Sequence, residues 1–142
     1  MPTDEEVAVL AANDAFYVAF EGEDATAMET LWAEDAPCAC VHPGWDPVVG
    51  RAAVLSTWRG ILGGGRAPHV KIDSARVLVW GEVALVVCIE HVSARQGPGS
   101  ALLSATNVFV REQGSWRMTH HHASPVSQDQ DESPSVPPSR LN

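Results

Sequence analysis

Histidine and one misplaced asparagine carry most of the chemistry open to this chain. His120, His121 and His122 stand in a row near the end of a Val- and Thr-rich stretch. His91 lies in a second such stretch, and His42 opens the loop His42-Pro43-Gly44-Trp45-Asp46-Pro47. Imidazole titrates near neutral pH, so each of these can take or give a proton. Strand alternation puts His120 and His122 on one face with Trp116 and Met118, and His121 on the other with Arg117 and Thr119. Asn107 sits in the middle of a strand-like run, where asparagine is disfavoured, and is a candidate hydrogen-bond donor in a pocket. Imidazoles that converge can also hold zinc, copper or iron. No H-x-x-E-H or facial-triad spacing supports that use, and a polar patch bonded to water is the competing reading.

Other chemistries lack their residues. There is no Ser-His-Asp order and no dinucleotide fingerprint. Gly63-Gly64-Gly65 follows a helix and precedes a strand, the wrong context for a phosphate cradle. The three cysteines, Cys38, Cys40 and Cys88, have no framework spacing and read as buried, reduced thiols in a cytoplasmic protein. The formal net charge is −9 over 142 residues, without a basic stripe, which disfavours nucleic acid and anionic membrane surfaces as partners. No apolar run is long enough to span a bilayer, and no secretory signal opens the chain.

The elements that would position these side chains follow from period and punctuation. Thr3 and Glu6 form a capping box before a helix over Asp4–Glu21, which shows two apolar faces and ends at Gly22. One face holds Val9, Ala12, Phe16 and Phe20; the other holds Val7, Leu10, Ala11, Tyr17 and Val18. A helix apolar on so much of its surface is expected to be covered on more than one side. Asp24 caps a short helix over residues 25–33. A short strand over 38–41 follows, then the Pro-Gly loop, then a helix over 51–62 with Val54, Leu55, Trp58, Ile61 and Leu62 inward. Residues 70–80, 83–94, 101–111 and 116–123 read as four long strands joined by short turns, an antiparallel meander. Helices followed by such a meander make an α+β domain, residues 1–126. Residues 127–142 are rich in Ser, Pro, Asp and Gln and read as a disordered tail.

This order resembles that of the nuclear transport factor 2-like superfamily, and its SnoaL-like branch most of all. The resemblance covers about residues 5 to 126. It rests on Phe16 to Trp32 with the turn Gly22-Glu23-Asp24, on Val49-Gly50-Arg51 with Ala53-Val54, and on the final hairpin, Thr106 to Arg111 and then Trp116 to Ser124. That branch includes ketosteroid isomerase-like and polyketide cyclase-like proteins. The resemblance implies a cystatin-like cone, a curved sheet wrapped around the first helix, with an apolar cavity open at one end. It places His42 where isomerase-like members carry their carboxylate base, Asn107 where they carry a donor, and Phe16 where a tyrosine donor would sit. It also turns the His120 face, with Val87, Ile89 and His91, into the cone.

Two readings follow. In the first, the protein is an enzyme without cofactor. It isomerises, cyclises or hydrates a small, mostly apolar carbonyl compound, with His42 as base and Asn107 and His120 at the oxyanion. Phe16, Phe20, Trp45, Trp58, Val87, Ile89, His91, Phe109, Met118 and His122 would line its pocket. In the second, the same fold binds a ligand or mediates association without turnover. If His42, His91, His120 and His122 converge, they are the alternative metal set. A homodimer is expected through the convex sheet face, with Val77, Val79, Val86, Cys88, Val108 and Val110 exposed on it.

Overall fold

The computed structural model describes residues 1–127. The expected tail, apart from Ser127, lies outside the described residues. The fold is α+β, with three helices and a curved six-stranded sheet that does not close into a barrel. Helix α1 (Asp4–Glu21) starts at the capping box, where Thr3 Oγ1 accepts from Glu6 N at 3.1 Å and Thr3 N donates to Glu6 Oε1 at 2.8 Å. Helix α2 (Ala25–Leu31) is capped by Asp24, whose Oδ1 accepts from Ala27 N at 3.0 Å. It is shorter than expected because Trp32 leaves the helix to bridge to Met118. Helix α3 (Arg51–Gly63) buries Val54, Leu55, Trp58 and Leu62.

The sheet order is β2-β1-β6-β5-β4-β3, with β1 (Ala39–Val41), β2 (Val48–Val49), β3 (His69–Trp80), β4 (Val83–Ser93), β5 (Ser100–Glu112) and β6 (Ser115–Pro125). The four long strands form the antiparallel meander read from the sequence. Strand β1 departs from it by pairing parallel to β6, with Ala39 opposite His120. Three backbone N–H groups hold the loop before β1, those of Glu34, Asp35 and Ala36, each donating to the Glu112 carboxylate at 2.7–3.0 Å. Helix α1 packs on the inner face of the sheet and buries Val9, Asn13, Phe16, Tyr17, Ala19 and Phe20. Helix α2 and the Trp58 ring of α3 cover it from another side, as its two apolar faces lead one to expect, while Val7 and Val18 stay exposed.

One residue changes which side chains enter the core. In the β5–β6 pair, Phe109 stands opposite Met118 and Val108 opposite His120, so Thr119 is an extra residue, a β-bulge. Side chains alternate strictly along a strand, and an inserted residue inverts the alternation beyond it. Met118 therefore points inward before the bulge, and after it His121 and Ala123 point inward while His120 and His122 face out. This corrects the expected inward turn of His120 and His122. On β4 the inward set is Ala84, Val86, Cys88 and Glu90, which places Val87, Ile89 and His91 on the outer face. Val77 and Val79 stand opposite Val86 and Ala84 and also face the core. The outer face is instead made by Leu78, Trp80, Val83, Leu85, Val87 and Val108.

Deleting Thr119 would remove the bulge and leave Met118, His121 and Ala123 in phase on the inner face, because Phe109 already stands opposite Met118 and Val108 opposite His120. Such a protein should therefore still fold, with its stability within about 3 kcal/mol of wild type, and Thr119→Ala should stay within about 0.5 kcal/mol, both read by urea unfolding.

Candidate active site

The inner face carries polar side chains on four different elements. Asn13 and Tyr17 lie one turn apart on α1, Cys88 and Glu90 on β4, Asn107 on β5 and His121 on β6. Asn13, Glu90, Asn107 and His121 are all buried to within 1%. Buried polar groups must bond to one another, and these do. The Tyr17 hydroxyl donates to Glu90 Oε2 at 2.6 Å. Asn107 Nδ2 donates to Tyr17 at 3.1 Å and to Asn13 Oδ1 at 2.8 Å. Asn107 Oδ1 lies 2.6 Å from His121 Nδ1, and His121 Nε2 lies 3.9 Å from Glu90 Oε2.

Burial sets the protonation of this group. It raises the Glu90 carboxyl above the usual carboxylate range, against the opposing pull of the Tyr17 hydrogen bond. It lowers His121 to about 3, with His42, His120 and His122 adding like-charge repulsion. Tyr17 is pushed far up, by burial first and the Glu90 charge next, and remains a phenol. The site thus pairs a carboxyl held towards its protonated form with a neutral imidazole, the first a proton donor and the second a proton acceptor.

Glu90 and His121 meet a cavity of about 420 Å³. Its remaining wall is Phe20, His42, Pro43, Trp45, Trp58, Ile61, Pro68, Val92, Ala101, Leu103 and Pro125, so apolar side chains surround two ionisable groups and His42. His42 is wedged between Trp45 and Trp58, with ring centroids 4.9 and 4.8 Å away. Its Nε2 lies 2.9 Å from Thr57 Oγ1, whose own hydrogen goes to the Val54 carbonyl at 2.7 Å. His42 Nε2 is therefore the donor. Burial lowers His42 to about 4. The indole N–H of Trp58 has no hydrogen-bond partner among the described residues.

Of the expected site residues, His42, Phe20, Trp45 and Trp58 line this cavity. Phe16, Phe109 and Met118 are fully buried in the core and are not among its lining residues. Asn107 is inward but spends both amide hydrogens on Asn13 and Tyr17, so it is no free oxyanion donor. His120 donates from Nδ1 to the Ala39 carbonyl at 3.0 Å. His91 pairs with Asp73 on the outer surface. His42 is thus separated from His91, His120 and His122, and no group of three His, Cys, Asp or Glu among the described residues could hold a metal ion. All three cysteines are buried and free. A depression of similar volume on the outer face, lined partly by His69, Lys71 and His91, contains no buried polar side chain.

Glu90, Tyr17 and His121 were not read from the sequence as site residues. Two signals pointed to them. Asn13 and Tyr17, spaced i and i+4, interrupt the stripe Val9, Phe16, Phe20. Glu90 interrupts the apolar run from Val83 to Val92 in phase with Ala84, Val86 and Cys88.

The comparisons agree with this architecture. The model of the SnoaL-like domain matches residues 9–128. A candidate dehydratase of the NTF2-like family from Streptomyces avermitilis is 35% identical, with a TM-score of 0.82 over 89% of this chain and 99% of that one. A candidate calcium/calmodulin-dependent protein kinase type II association domain from Thiobacillus denitrificans is 34% identical, with a TM-score of 0.74 over 89% and 98%. The F-box protein SKIP8 of Arabidopsis thaliana is 24% identical over 82% of this chain, which spans only 49% of that protein's length. By its sequence and its fold, the chain belongs to the SnoaL-like domain family, within the nuclear transport factor 2-like superfamily.

Proposed function

We propose that this protein is a cofactor-independent enzyme that moves protons on a small, neutral, mostly apolar carbonyl compound, by elimination or addition of water or by isomerisation. One observation carries the reading: a buried acid and a buried neutral base, 3.9 Å apart, border a cavity that is otherwise mainly apolar. In the eliminating direction, His121 Nε2 takes the proton from the carbon next to the carbonyl. Glu90 gives its proton to the departing hydroxyl, which leaves as water, and the electrons of the broken C–H bond form the new double bond. The products are an imidazolium and a carboxylate side by side, and Tyr17 donates to that carboxylate. Return of the proton from His121 to Glu90 resets the site. In isomerisation the same base gives its proton back at a different carbon.

The base role goes to His121 rather than to His42, whose Nε2 is tied to Thr57 and whose ring packs between two indoles. The Trp58 N–H is a buried donor for a ligand oxygen. The similarity to a candidate dehydratase fits this chemistry. Among the described residues the wall has no Lys or Arg, which favours an uncharged ligand over an acyl anion or phosphate.

A second reading, association, has its own support. Leu78 and Trp80 are 51% and 53% exposed on the outer sheet face, beside Val83 and Leu85. A similar chain is a candidate association domain. We assign this face to a homodimer. Trp80→Glu should convert a dimer to a monomer in sedimentation at micromolar concentration, and a wild-type monomer would remove this reading.

The protonation states make a prediction of their own. His121 and His42 have folded values below the unfolded value of 6.5, so their contribution to stability is present above pH 6.5 and is lost as pH falls towards 4 and 3. Each should cost about 1.4 kcal/mol per pH unit below 6.5. Glu90 acts in the opposite sense, its contribution declining as pH rises from 4.5 through its raised value. Urea unfolding between pH 7 and pH 4.5 should show the acid-side loss, and His121→Gln should flatten it.

Native mass spectrometry of the protein from its host should identify a bound small molecule. With that compound, His121→Gln and Glu90→Gln should each lower turnover about 10²–10⁴-fold while leaving affinity nearly unchanged. Full turnover in both variants, or no chemical change with wild type, would leave a binding module.

A further inference from the structure

We propose that Asn107 is a positioning residue that decides which ring nitrogen of His121 carries the proton, and so which nitrogen meets the ligand. The inference rests on His121 as the base and deepens that reading.

The Tyr17 hydroxyl has a single hydrogen, and it goes to Glu90 Oε2 at 2.6 Å. Towards Asn107, 3.1 Å away, the Tyr17 oxygen can then only accept. Of the two ends of an amide only the nitrogen donates, so Nδ2 must face Tyr17. Its second hydrogen goes to Asn13 Oδ1 at 2.8 Å, which a reversed amide could not satisfy. The orientation of Asn107 is therefore set by Tyr17, and Asn13, one turn away on α1, accepts its second hydrogen. Its Oδ1 is left facing His121 Nδ1 at 2.6 Å. A carbonyl oxygen only accepts, so Nδ1 must hold the hydrogen. A neutral imidazole has one N–H, so the lone pair is on Nε2, the nitrogen 3.9 Å from Glu90 Oε2.

Asn13 supports the assignment from another direction. It is fully buried, and among the described residues its own Nδ2 meets no hydrogen-bond acceptor stronger than the Cys88 thiol. A buried N–H so weakly satisfied is unfavourable, and an apolar side chain at that position would avoid it. What Asn13 adds is the acceptor that holds the Asn107 amide in this orientation.

The test reads the tautomer directly in the full-length protein. Long-range proton–nitrogen correlation spectra of ¹⁵N-labelled protein at neutral pH distinguish a protonated ring nitrogen from one with a lone pair. His121 is assigned by the signals lost in His121→Gln. The wild type should show Nδ1 protonated and Nε2 bare; the reverse would overturn the proposal without any variant. Asn107→Asp keeps an acceptor at Nδ1 and should keep the tautomer. Asn107→Leu removes it and should move the tautomer ratio towards Nε2–H by about threefold to tenfold, the worth of one hydrogen bond. An unchanged ratio in a folded Asn107→Leu protein would also overturn the proposal. If that variant does not fold, the wild-type and Asn107→Asp spectra decide. None of these readouts needs a substrate. Loss of the enzymatic reading through an active Glu90→Gln protein would leave the tautomer assignment standing, and a wrong tautomer would leave the acid role of Glu90 open.

Discussion

A carboxyl group removed from water must be neutral or be held by donors, and Glu90 is where this protein meets that constraint. The Tyr17 hydroxyl satisfies one of its oxygens. That bond commits the only hydrogen Tyr17 has, which obliges Asn107 to turn its nitrogen towards α1 and its oxygen towards β6. Helix α1 and strands β4, β5 and β6 are thereby joined through side chains as well as through packing. The same bonds orient the imidazole and keep a proton donor beside a proton acceptor. Structure and proposed chemistry share one set of hydrogens, so a change at any member is felt by the others.

The sheet supplies the second condition. Were Thr119 paired as an ordinary strand residue instead of bulged, the alternation running through Met118 would carry His120 inward and His121 out. Asn107 would then face a different partner. The bulge also falls where β6 takes on β1 as a parallel neighbour, from His120 onward, and where Trp32 bridges to Met118.

The sequence made the larger elements readable because period and punctuation are local. The capping box at Thr3, the cap at Asp24 and the turns at Gly81 and Gly114 each act within a few residues, and the helices and long strands lie close to where those signals put them. The cavity was partly readable as well: Phe20, Trp45, Trp58 and His42 do line it. What failed was the phase of β4 and β6. A bulge has no strong local signal at Thr119, and its effect appears only in the pairing with Val108 and Phe109. Glu90 was passed over because a charged residue in an alternating strand ordinarily faces water. Its partner Tyr17 lies 73 positions away in sequence. Asn107 was noticed for the right reason, its poor fit to a strand, but its role could not be read without knowing that both its hydrogens were already used.

Three of the residues around the cavity are prolines, Pro43, Pro68 and Pro125, each from a different connection or strand end. Proline has a fixed φ and no backbone N–H. These stretches of the wall have little backbone freedom, and the prolines themselves present no N–H to the cavity. The ligand proposed for this cavity would therefore meet a wall whose backbone, at these three points, is held by covalent geometry.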